Sequence, residues 1–403
     1  MRVLVLEGAK SAALAIVRSL GKKGIDVTVG ERRKFCTAGI SKYCKSRIRY
    51  PAPAVDRDSF LRNILKEVKS GKYDVVYPVA GETTLPISEH KSEFLLYTKI
   101  PIPDYKIIEK ADDKSQTLQI AMESGIPYPK TYFPQDLQEI DRIAKEAEFP
   151  VVIKPRRKLM WIKGHLIRTK VTRENYAFSP LELKIKHKKI SQKSSLPLIQ
   201  EYIPGDSYGF FALLNHSEPR AIFAHRRLRE YPITGGASTL RESVYNEEIK
   251  ELGLRLLKAM NWHGVAMVEF KLDNRDNKFK LIEVNGRWWG SLPLAIASGV
   301  DFPYLLHKMV TEGDVEPVTE YRIGVKCRLL VPNDLLWLMS SLRYSNKKME
   351  AILEFFKFRN MYYDVISKDD PLPIMGALRG TLENFEQVIT GRATISGELI
   401  KRN

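Results

Sequence analysis

Apolar residues near the N-terminus follow two different periods, and the change of period predicts the first elements. A nearly unbroken apolar run at residues 1–8 is typical of a buried parallel strand. Apolar residues at 11–22 recur at helical spacing, and a second apolar run follows at 25–29. This order predicts a βαβ unit. With a further helix at 60–68 and a strand at 73–79, it predicts a Rossmann-like parallel-sheet domain.

Shorter strands and hairpins are expected in the middle of the chain. The pattern predicts a buried strand at 149–156, a β-hairpin at 159–168 around a Lys163–Gly164 turn, an apolar strand at 198–205, a hairpin at 210–225, and an amphipathic helix at 247–260. Beyond residue 313 it predicts a strand at 321–331, helices at 335–342 and 351–358, and a closing helix after 369–373. The fold class expected is therefore α/β, with a parallel sheet followed by antiparallel sheets.

Two strands near residue 275 flank a polar turn. Apolar residues dominate 264–272 and 281–285, and the segment 273–277 between them is rich in Asp and Asn. Such a turn between two strands predicts a β-hairpin. The last strand and the residues after it read IEVNGRWWGSLPLAIASGVDFP, in which the two tryptophans, Trp288 and Trp289, are expected to pack in the core.

This hairpin would bring three oxygen-bearing side chains together. Glu283 and Asn285 are two residues apart and share a strand face, and Glu269 lies on the neighbouring strand. Magnesium in nucleotide sites is bound through one or two carboxylates and substrate phosphates, and Arg287 would add a fixed positive charge for a transferring phosphoryl group. Carboxylates beside a polar turn are also typical of a solvated surface. The hairpin alone leaves both interpretations open.

The predicted strand at 149–156 carries a lysine in an apolar setting. Lys154 follows Val151, Val152 and Ile153. A cation buried in such a strand needs an anion opposite, and a nucleotide phosphate is one that fits.

Composition limits the function classes. The net charge of +17 favours acidic partners, although a generally lysine-rich chain explains it equally well. Three scattered cysteines, Cys36, Cys44 and Cys327, are too few for a disulfide framework or a zinc site, and they favour a reducing cytoplasm. Neither an N-terminal leader nor a run of apolar residues long enough to span a membrane is recognisable.

Several motifs in the same order resemble the ATP-grasp superfamily, and most closely its carboxylate–amine ligase and carbamoyl-phosphate-synthase-like branch. They are an Asp-Lys helix start at 113–114, GIPYP at 125–129, FPVVIKP at 149–155 and EVNGRWWGS at 283–291. The resemblance implies that Glu269, Glu283 and Asn285 hold Mg²⁺, with Mn²⁺ as an alternative, and that Arg287 and Lys154 are catalytic. The implied ATP contacts are Lys114, Lys154, Gln200, Glu201, Tyr202, Ile203 and Asp206.

The chain departs from the usual family pattern after Lys154. Many ATP-grasp enzymes have a glycine-rich flap there, whereas the predicted hairpin at 159–168 is flanked by basic residues. Which of Arg156, Arg157, Lys163 or Arg168 would cover the phosphates is left open. The candidate substrate contacts are Glu82, Arg226, Ser238 and Arg241. For Glu82 a helix first-turn carboxylate, and for the others a solvated strand edge, are nearly equal alternatives.

The resemblance implies an N-terminal domain at 1–110, an ATP-grasp domain at 111–318 with a lid at about 130–205, and a C-terminal extension at 319–403. It also implies an ADP-forming ligase that activates a carboxylate as an acyl phosphate for attack by an amine. A bicarbonate-dependent carboxylase and a non-catalytic basic adaptor that binds nucleic acid or membrane are the alternatives. The expected partners are small-molecule carboxylates and amines, without a specific nucleic-acid partner. A homodimer is left open, and a peripheral membrane contact is less favoured.

Overall fold

A computed structural model describes residues 1–162, 165–192, 196–232, 235–345 and 347–389. Among them, no helix combines the length and the apolar character that crossing a membrane requires. The Lys163–Gly164 turn of the predicted hairpin lies outside the described residues.

The N-terminal segment forms a four-stranded parallel sheet in the order β3-β2-β1-β4. Its strands are β1 (Arg2–Val5), β2 (Asp26–Glu31), β3 (Ser46–Arg49) and β4 (Val75–Tyr77). Its helices are α1 (Ser11–Lys22), α2 (Arg57–Lys69), α3 (Gly81–Glu89), α4 (Lys91–Leu95) and α5 (Tyr105–Asp112). The predicted βαβ unit is present. The edge strand β3 was not predicted, because it is short and mostly exposed and shows no apolar pattern.

A second, four-stranded sheet has the order β5-β10-β6-β9, and a two-stranded hairpin lies beside it. The sheet strands are β5 (Thr131–Tyr132), β6 (Val151–Lys154), β9 (Tyr176–Ala177) and β10 (Leu198–Glu201). The hairpin strands are β7 (Leu159–Ile162) and β8 (His165–Arg168), and we call this hairpin the flap. The helices of this segment are α6 (Lys114–Glu123), α7 (Glu139–Glu146) and α8 (Pro180–Ser191).

The third sheet has seven strands in the order β15-β14-β11-β12-β13-β16-β17. They are β11 (Ser207–Asn215), β12 (Glu218–Tyr231), β13 (Ala237–Ser243), β14 (Gly264–Asp273), β15 (Lys278–Asn285), β16 (Lys326–Arg328) and β17 (Met361–Tyr363). The helices are α9 (Glu247–Ala259), α10 (Leu292–Ser298), α11 (Phe302–Glu312), α12 (Leu335–Tyr344), α13 (Lys348–Phe355) and α14 (Pro373–Ile389).

The two faces of the seven-stranded sheet bury different cores. On one face, Phe210 and Val268 pack against the apolar side of α9. On the other face, Phe211 packs with Trp289 and with residues of β1, α1 and α10. The N-terminal sheet and the large sheet therefore share one core. Trp288 and Trp289 are 3% and 1% exposed, and they pack in the core as expected from the sequence.

The C-terminal extension is built into the other sheets. Its strand β16 is shorter than the predicted strand at 321–331, and it pairs with β13 on one side and with the edge strand β17 on the other. The buried carboxylate of Asp370 binds the N-terminal segment: it accepts hydrogen bonds from the Arg18 guanidinium (2.9 Å), the Ser41 hydroxyl (2.6 Å) and the Lys42 amide (3.0 Å). The two ends of the described chain are thereby linked.

We expect Asp370→Ala to lower the free energy of unfolding by about 3–5 kcal/mol, because it leaves the largely buried Arg18 guanidinium without its anion. Asp369→Ala is the matched control. This neighbouring carboxylate is 43% exposed and pairs with the exposed lysines Lys22 and Lys42. Its removal should leave stability close to that of the wild type. Urea unfolding followed by circular dichroism measures both, and equal losses would contradict this account of the C-terminal segment.

Candidate functional site

The β14–β15 hairpin places two carboxylates opposite each other. Glu269 and Glu283 are direct cross-strand partners, and the polar turn between the strands is the one predicted. The side-chain amide of Asn285 lies between them and donates hydrogen bonds to Glu269 Oε1 (2.9 Å) and Glu283 Oε1 (3.2 Å). The structure thus brings together the three oxygen-bearing side chains predicted from the sequence, and we refer to them as the acidic cluster.

Cations from three other segments surround the acidic cluster. Lys158, at the base of the flap, donates hydrogen bonds to the carboxylate of Glu283 and to Asn285 Oδ1 (3.0 Å). Arg227 of β12 donates to Glu269 Oε2 at 2.5 Å, and Lys114 Nζ lies 3.9 Å from Glu283 Oε2. Sequence reasoning did not single out Lys158 or Arg227.

The surroundings shift the pKa values of the two carboxylates in opposite directions. Burial raises the pKa of Glu269 above its usual value despite the nearby Arg227, and the neighbouring charge of Glu283 adds to the rise. Burial acts in the same direction on Glu283, but Lys158 and Lys114 outweigh it and hold the pKa of Glu283 well below its usual range. Glu283 is therefore the firmly ionised member of the pair.

Lys154 is the last residue of β6. The opposite face of this strand, which carries Ile153, packs in an apolar core. The ammonium group of Lys154 makes no hydrogen bond and no ion pair within 4.0 Å in the part of the chain that the structure describes. Burial, together with the nearby charge of Lys114, lowers the pKa of Lys154 to about 8. Burial also lowers the pKa of Lys114, although Glu283 opposes this effect. A sheltered cation without a partner is energetically costly, and an anion bound opposite it would remove that cost.

The predicted adenine-side residues lie on β10 and the turn after it, and several of them contact other parts of the protein. Gln200 is buried and donates to the Thr131 hydroxyl at 2.9 Å. The Glu201 carboxylate accepts from the Lys130 amide at 2.9 Å and pairs with Arg275 at 3.1 Å. Both side chains are therefore held by other parts of the protein.

The turn that follows β10 is fixed against β14. The carbonyl of Ile203 accepts from the Lys271 ammonium at 2.8 Å. Gly205 has φ +133°, and a Cβ there would lie 1.9 Å from the Leu272 carbonyl oxygen, so only glycine fits. Tyr202 and Asp206 flank this turn and are more open to solvent, with Tyr202 36% exposed and the Asp206 side chain 62% exposed.

The four candidate substrate contacts are placed differently. Glu82 lies in the first turn of α3 and pairs with Arg168 of the flap at 2.8 Å. Ser238 donates to the Leu240 carbonyl at 3.2 Å. The structure does not bring Arg226 and Arg241 to the acidic cluster. Arg226 lies on the opposite face of β12 from Arg227.

Arg226 and Arg241 each pair with a carboxylate outside the acidic cluster. Arg226 pairs with Glu242 at 3.3 Å, on the other face of the sheet. Arg241 is 1% exposed and forms a buried ion pair with Asp364, in the segment that follows β17. These contacts account for both side chains as structural ion pairs.

The base of the flap carries two more basic residues that the sequence left as candidates. Arg156 donates to the Leu196 carbonyl at 2.8 Å and to the Ser115 hydroxyl at 3.2 Å. Arg157 pairs with Asp113 at 3.2 Å and with Glu109 at 3.1 Å. Both therefore anchor the flap to the segment around α5 and α6. Lys163, the third candidate, lies outside the described residues.

The flap itself rests on the N-terminal segment. The amide of Leu166 donates to the Ala54 carbonyl at 3.1 Å, and the Trp161 indole donates to the Pro53 carbonyl at 3.2 Å. With the Glu82–Arg168 pair, these contacts close one side of a cavity of about 280 Å³ next to Arg287. Arg287 is held by Asn285 Oδ1 at 3.1 Å and by the Trp288 carbonyl at 2.8 Å.

A parallel-sheet domain, a small sheet carrying a lysine, and a large antiparallel sheet carrying the acidic cluster together define the ATP-grasp fold. Comparison with known proteins agrees. The family described as "ATP-grasp in the biosynthetic pathway with Ter operon" matches residues 194–330. The D-aspartate ligase of Enterococcus faecium is 26% identical over 295 residues, which are 68% of this chain and 68% of that protein.

Solved structures show the same fold at lower identity. The N5-carboxyaminoimidazole synthetase of Staphylococcus aureus, crystallised with ADP, superposes with a TM-score of 0.62 and 14% identity over 81% of this chain and 80% of its own. The L-amino acid ligase of Bacillus licheniformis gives a TM-score of 0.58 and 16% identity, over 78% and 77% of the two chains. The predicted ATP-grasp fold, and the resemblance to its carboxylate–amine ligase branch, are confirmed.

We expect Arg227→Met to destabilise the protein by about 3–5 kcal/mol, because it leaves the buried carboxylate of Glu269 without its cation. Arg226→Met is the matched control on the same strand, since Arg226 is 39% exposed and pairs on the other face of the sheet. Its loss should change stability little. Chemical denaturation of both variants is the measurement, and similar losses in the two would show that Arg227 has no special connection with the acidic cluster.

Proposed function

We propose that this protein is an ATP- and Mg²⁺-dependent, ADP-forming ligase that activates a carboxylate as an acyl phosphate for attack by an amine. The observation that carries the proposal is that Lys154, which has no ion pair among the described residues, lies close enough to the acidic cluster for the charges of Glu283 and Glu269 to act on its ammonium group. A Mg–nucleotide site needs a cationic side chain that binds phosphate and, next to it, a cluster of oxygen atoms that binds the metal. The proposal is supported by two of the similar proteins: one is a D-aspartate ligase, and the other was crystallised with ADP.

The residues present fit Mg²⁺. Glu269, Glu283 and Asn285 supply oxygen atoms of the hard type that Mg²⁺ prefers, and the Asn285 amide lies 2.9 and 3.2 Å from the two carboxylates. We propose that these side chains hold the metal. When bound, Mg²⁺ would supply positive charge that neutralises the negative charge developing on the phosphate oxygens.

The side chains of the protein would do the positioning. Lys154 and Lys114 would bind phosphate oxygens, because both are sheltered cations facing Glu283. Turnover would place negative charge first on the transferring phosphoryl group and then on the oxygen of the tetrahedral intermediate formed when the amine attacks the acyl carbon. Arg287, fixed by two hydrogen bonds at the edge of the cavity, would stabilise that charge without having to reorganise.

The other expectations from the sequence stay proposals. We propose that β10 and the turn at Tyr202–Asp206 bind the adenosine, and that the domains divide near residues 110 and 318. The strands β16 and β17 belong to the large sheet. The segment after residue 318 would then extend the ATP-grasp domain and would not fold separately. The small-molecule carboxylate and amine enter through the cavity next to Arg287.

The direct test is a phosphate-release screen of the purified protein with ATP, Mg²⁺ and pools of carboxylates and amines. Release should require an acid and an amine together, and Glu283→Gln should reduce it by roughly 100-fold, since a preorganised electrostatic contact is lost. Glu251→Gln, at an exposed position on α9, is the control. Release with bicarbonate alone would indicate a carboxylase. Failure with every combination would contradict the ligase, and steeply salt-dependent binding of polyanions would then favour an adaptor.

The pH dependence provides a second test. Lys154 binds phosphate only when protonated, and its pKa is lowered to about 8. The value of kcat/KM for ATP should therefore fall as the pH rises through about 8, and this loss belongs to the free enzyme. Lys154→Arg should move the fall to higher pH, whereas Lys154→Met should lower kcat/KM at all pH values and remove this inflection. An unchanged inflection in Lys154→Met would assign it to another group.

A further inference from the structure

The cavity next to Arg287 lies between two parts of the protein. Gly81 and Glu82 of α3 and Asp112 of α5 form one side, and Asn285 and Arg287 at the end of β15 form the other. Its volume of about 280 Å³ is near the lower end of small-molecule sites. A small substrate that reached Arg287 would therefore touch the N-terminal segment as well.

Most charged side chains on the cavity wall already have a protein partner. Glu82 pairs with Arg168, Lys158 donates to Glu283, and Arg287 donates to Asn285. Asp112 differs: over the described ranges of the chain, its carboxylate makes no hydrogen bond and no ion pair within 4.0 Å. It is nevertheless half-buried, and burial raises its pKa above the usual value.

The surrounding helices do not explain why a carboxylate is half-buried at position 112. Its neighbour Asp113 caps α6, accepting from the Ser115 amide at 2.9 Å, and also pairs with Arg157 at 3.2 Å. Asp112 is the last residue of α5, where the negative end of the helix dipole disfavours a carboxylate. A half-buried carboxylate that caps nothing and pairs with nothing costs stability. A ligand that brings a positive charge into the cavity would remove that cost.

We propose that Asp112 binds the ammonium group of an amino acid substrate in this cavity. The inference rests on the proposed ligase function and adds a substrate class to it. Lys10 and Arg287 line the same cavity, so a carboxylate and an ammonium group on one small molecule would both find opposite charges there. Asp112 is then a specificity determinant that distinguishes amino acids from acids of the same shape without an amino group.

The competing explanation is that Asp112 only balances positive charge. Lys114, Lys158, Arg157 and Arg287 all act on its carboxylate, although none of them pairs with it. In that case its removal would strengthen or weaken binding of phosphate groups, and it would not affect the choice between substrates. The two explanations therefore predict different kinetic constants to change.

The experiment compares wild type with Asp112→Asn, which removes the charge and keeps the shape. Phosphate release is measured at saturating ATP, with a fixed saturating concentration of an amine that supports release in the screen, for D- and L-amino acids and for their desamino counterparts: aspartate against succinate, glutamate against glutarate, and alanine against propionate. KM for ATP is measured separately, at a saturating concentration of the amino acid. We expect KM for the preferred amino acid to rise roughly 10- to 100-fold in Asp112→Asn, the usual range for a hydrogen bond to a charged group. KM for ATP and the rates with desamino acids should not change.

Glu123→Gln is the control, because this carboxylate on α6 is exposed and accepts a hydrogen bond from Gln119 on the same helix. An Asp112→Asn variant that changes KM for ATP but not for the amino acid would overturn the proposal in favour of charge balance. A wild type that uses succinate as well as aspartate, and likewise for the other pairs, would also overturn it.

The failure of the ligase proposal gives a different result. If wild type and Glu283→Gln alike release no phosphate with any pool, the ligase proposal fails, and Asp112 is judged by binding alone. Amino acids should then raise the thermal unfolding temperature of the wild type and not of Asp112→Asn. A wild type without any such shift, or a shift of the same size in Asp112→Asn, would overturn the assignment of Asp112.

Discussion

The site depends on the compensation of two buried carboxylates that face each other across a pair of strands. Glu269 and Glu283 are direct cross-strand partners, and two like charges in this position repel unless cations lie beside them. Arg227 of β12, Lys158 of the flap and Lys114 of α6 supply those cations. The acidic hairpin thereby fixes the relative positions of three segments that are far apart in the sequence.

The same rule explains the C-terminal part of the chain. Arg241 of the large sheet is neutralised by Asp364, which follows the edge strand β17. Asp334, before α12, is fully buried and pairs with Arg229 at 2.9 Å and with Arg328 at 2.5 Å. Among the described residues, Arg229 and Arg241 of the large sheet pair with carboxylates of this segment, which also contributes the strands β16 and β17 to that sheet.

Sequence reasoning succeeded where the chemistry is local. The hairpin that carries the acidic cluster follows from two apolar runs and a polar turn, and the unusual lysine follows from its apolar neighbours on β6. It did not select Arg227 over Arg226. Adjacent residues of a strand point to opposite faces, and β12 is irregular after Arg227, so the face could not be read from the pattern.

Contacts between residues far apart in the chain could not be predicted from the sequence, for a different reason. Lys158 reaches Glu283 although 125 positions separate them, and no local signal marks such a contact. Arg156 and Arg157 looked equally suitable, yet they pair near the base of the flap with residues of neighbouring segments. Which basic residue of a cluster faces a site is decided by tertiary packing. A run of basic residues therefore predicts that the site attracts anions, and does not show which side chain binds them.

The positive charge of this protein has two components, which attract anions over different distances. The net charge of +17 is spread over the surface, attracts anions from afar, and is screened by salt within about 10 Å. At the site, by contrast, two carboxylates face Lys114, Lys158 and Arg227, and Lys154 is left over without an anion among the described residues. That local excess is sheltered from solvent and is only weakly screened. In the function we propose, this local excess, and not the surface charge, would select a compact polyanion bound next to a metal.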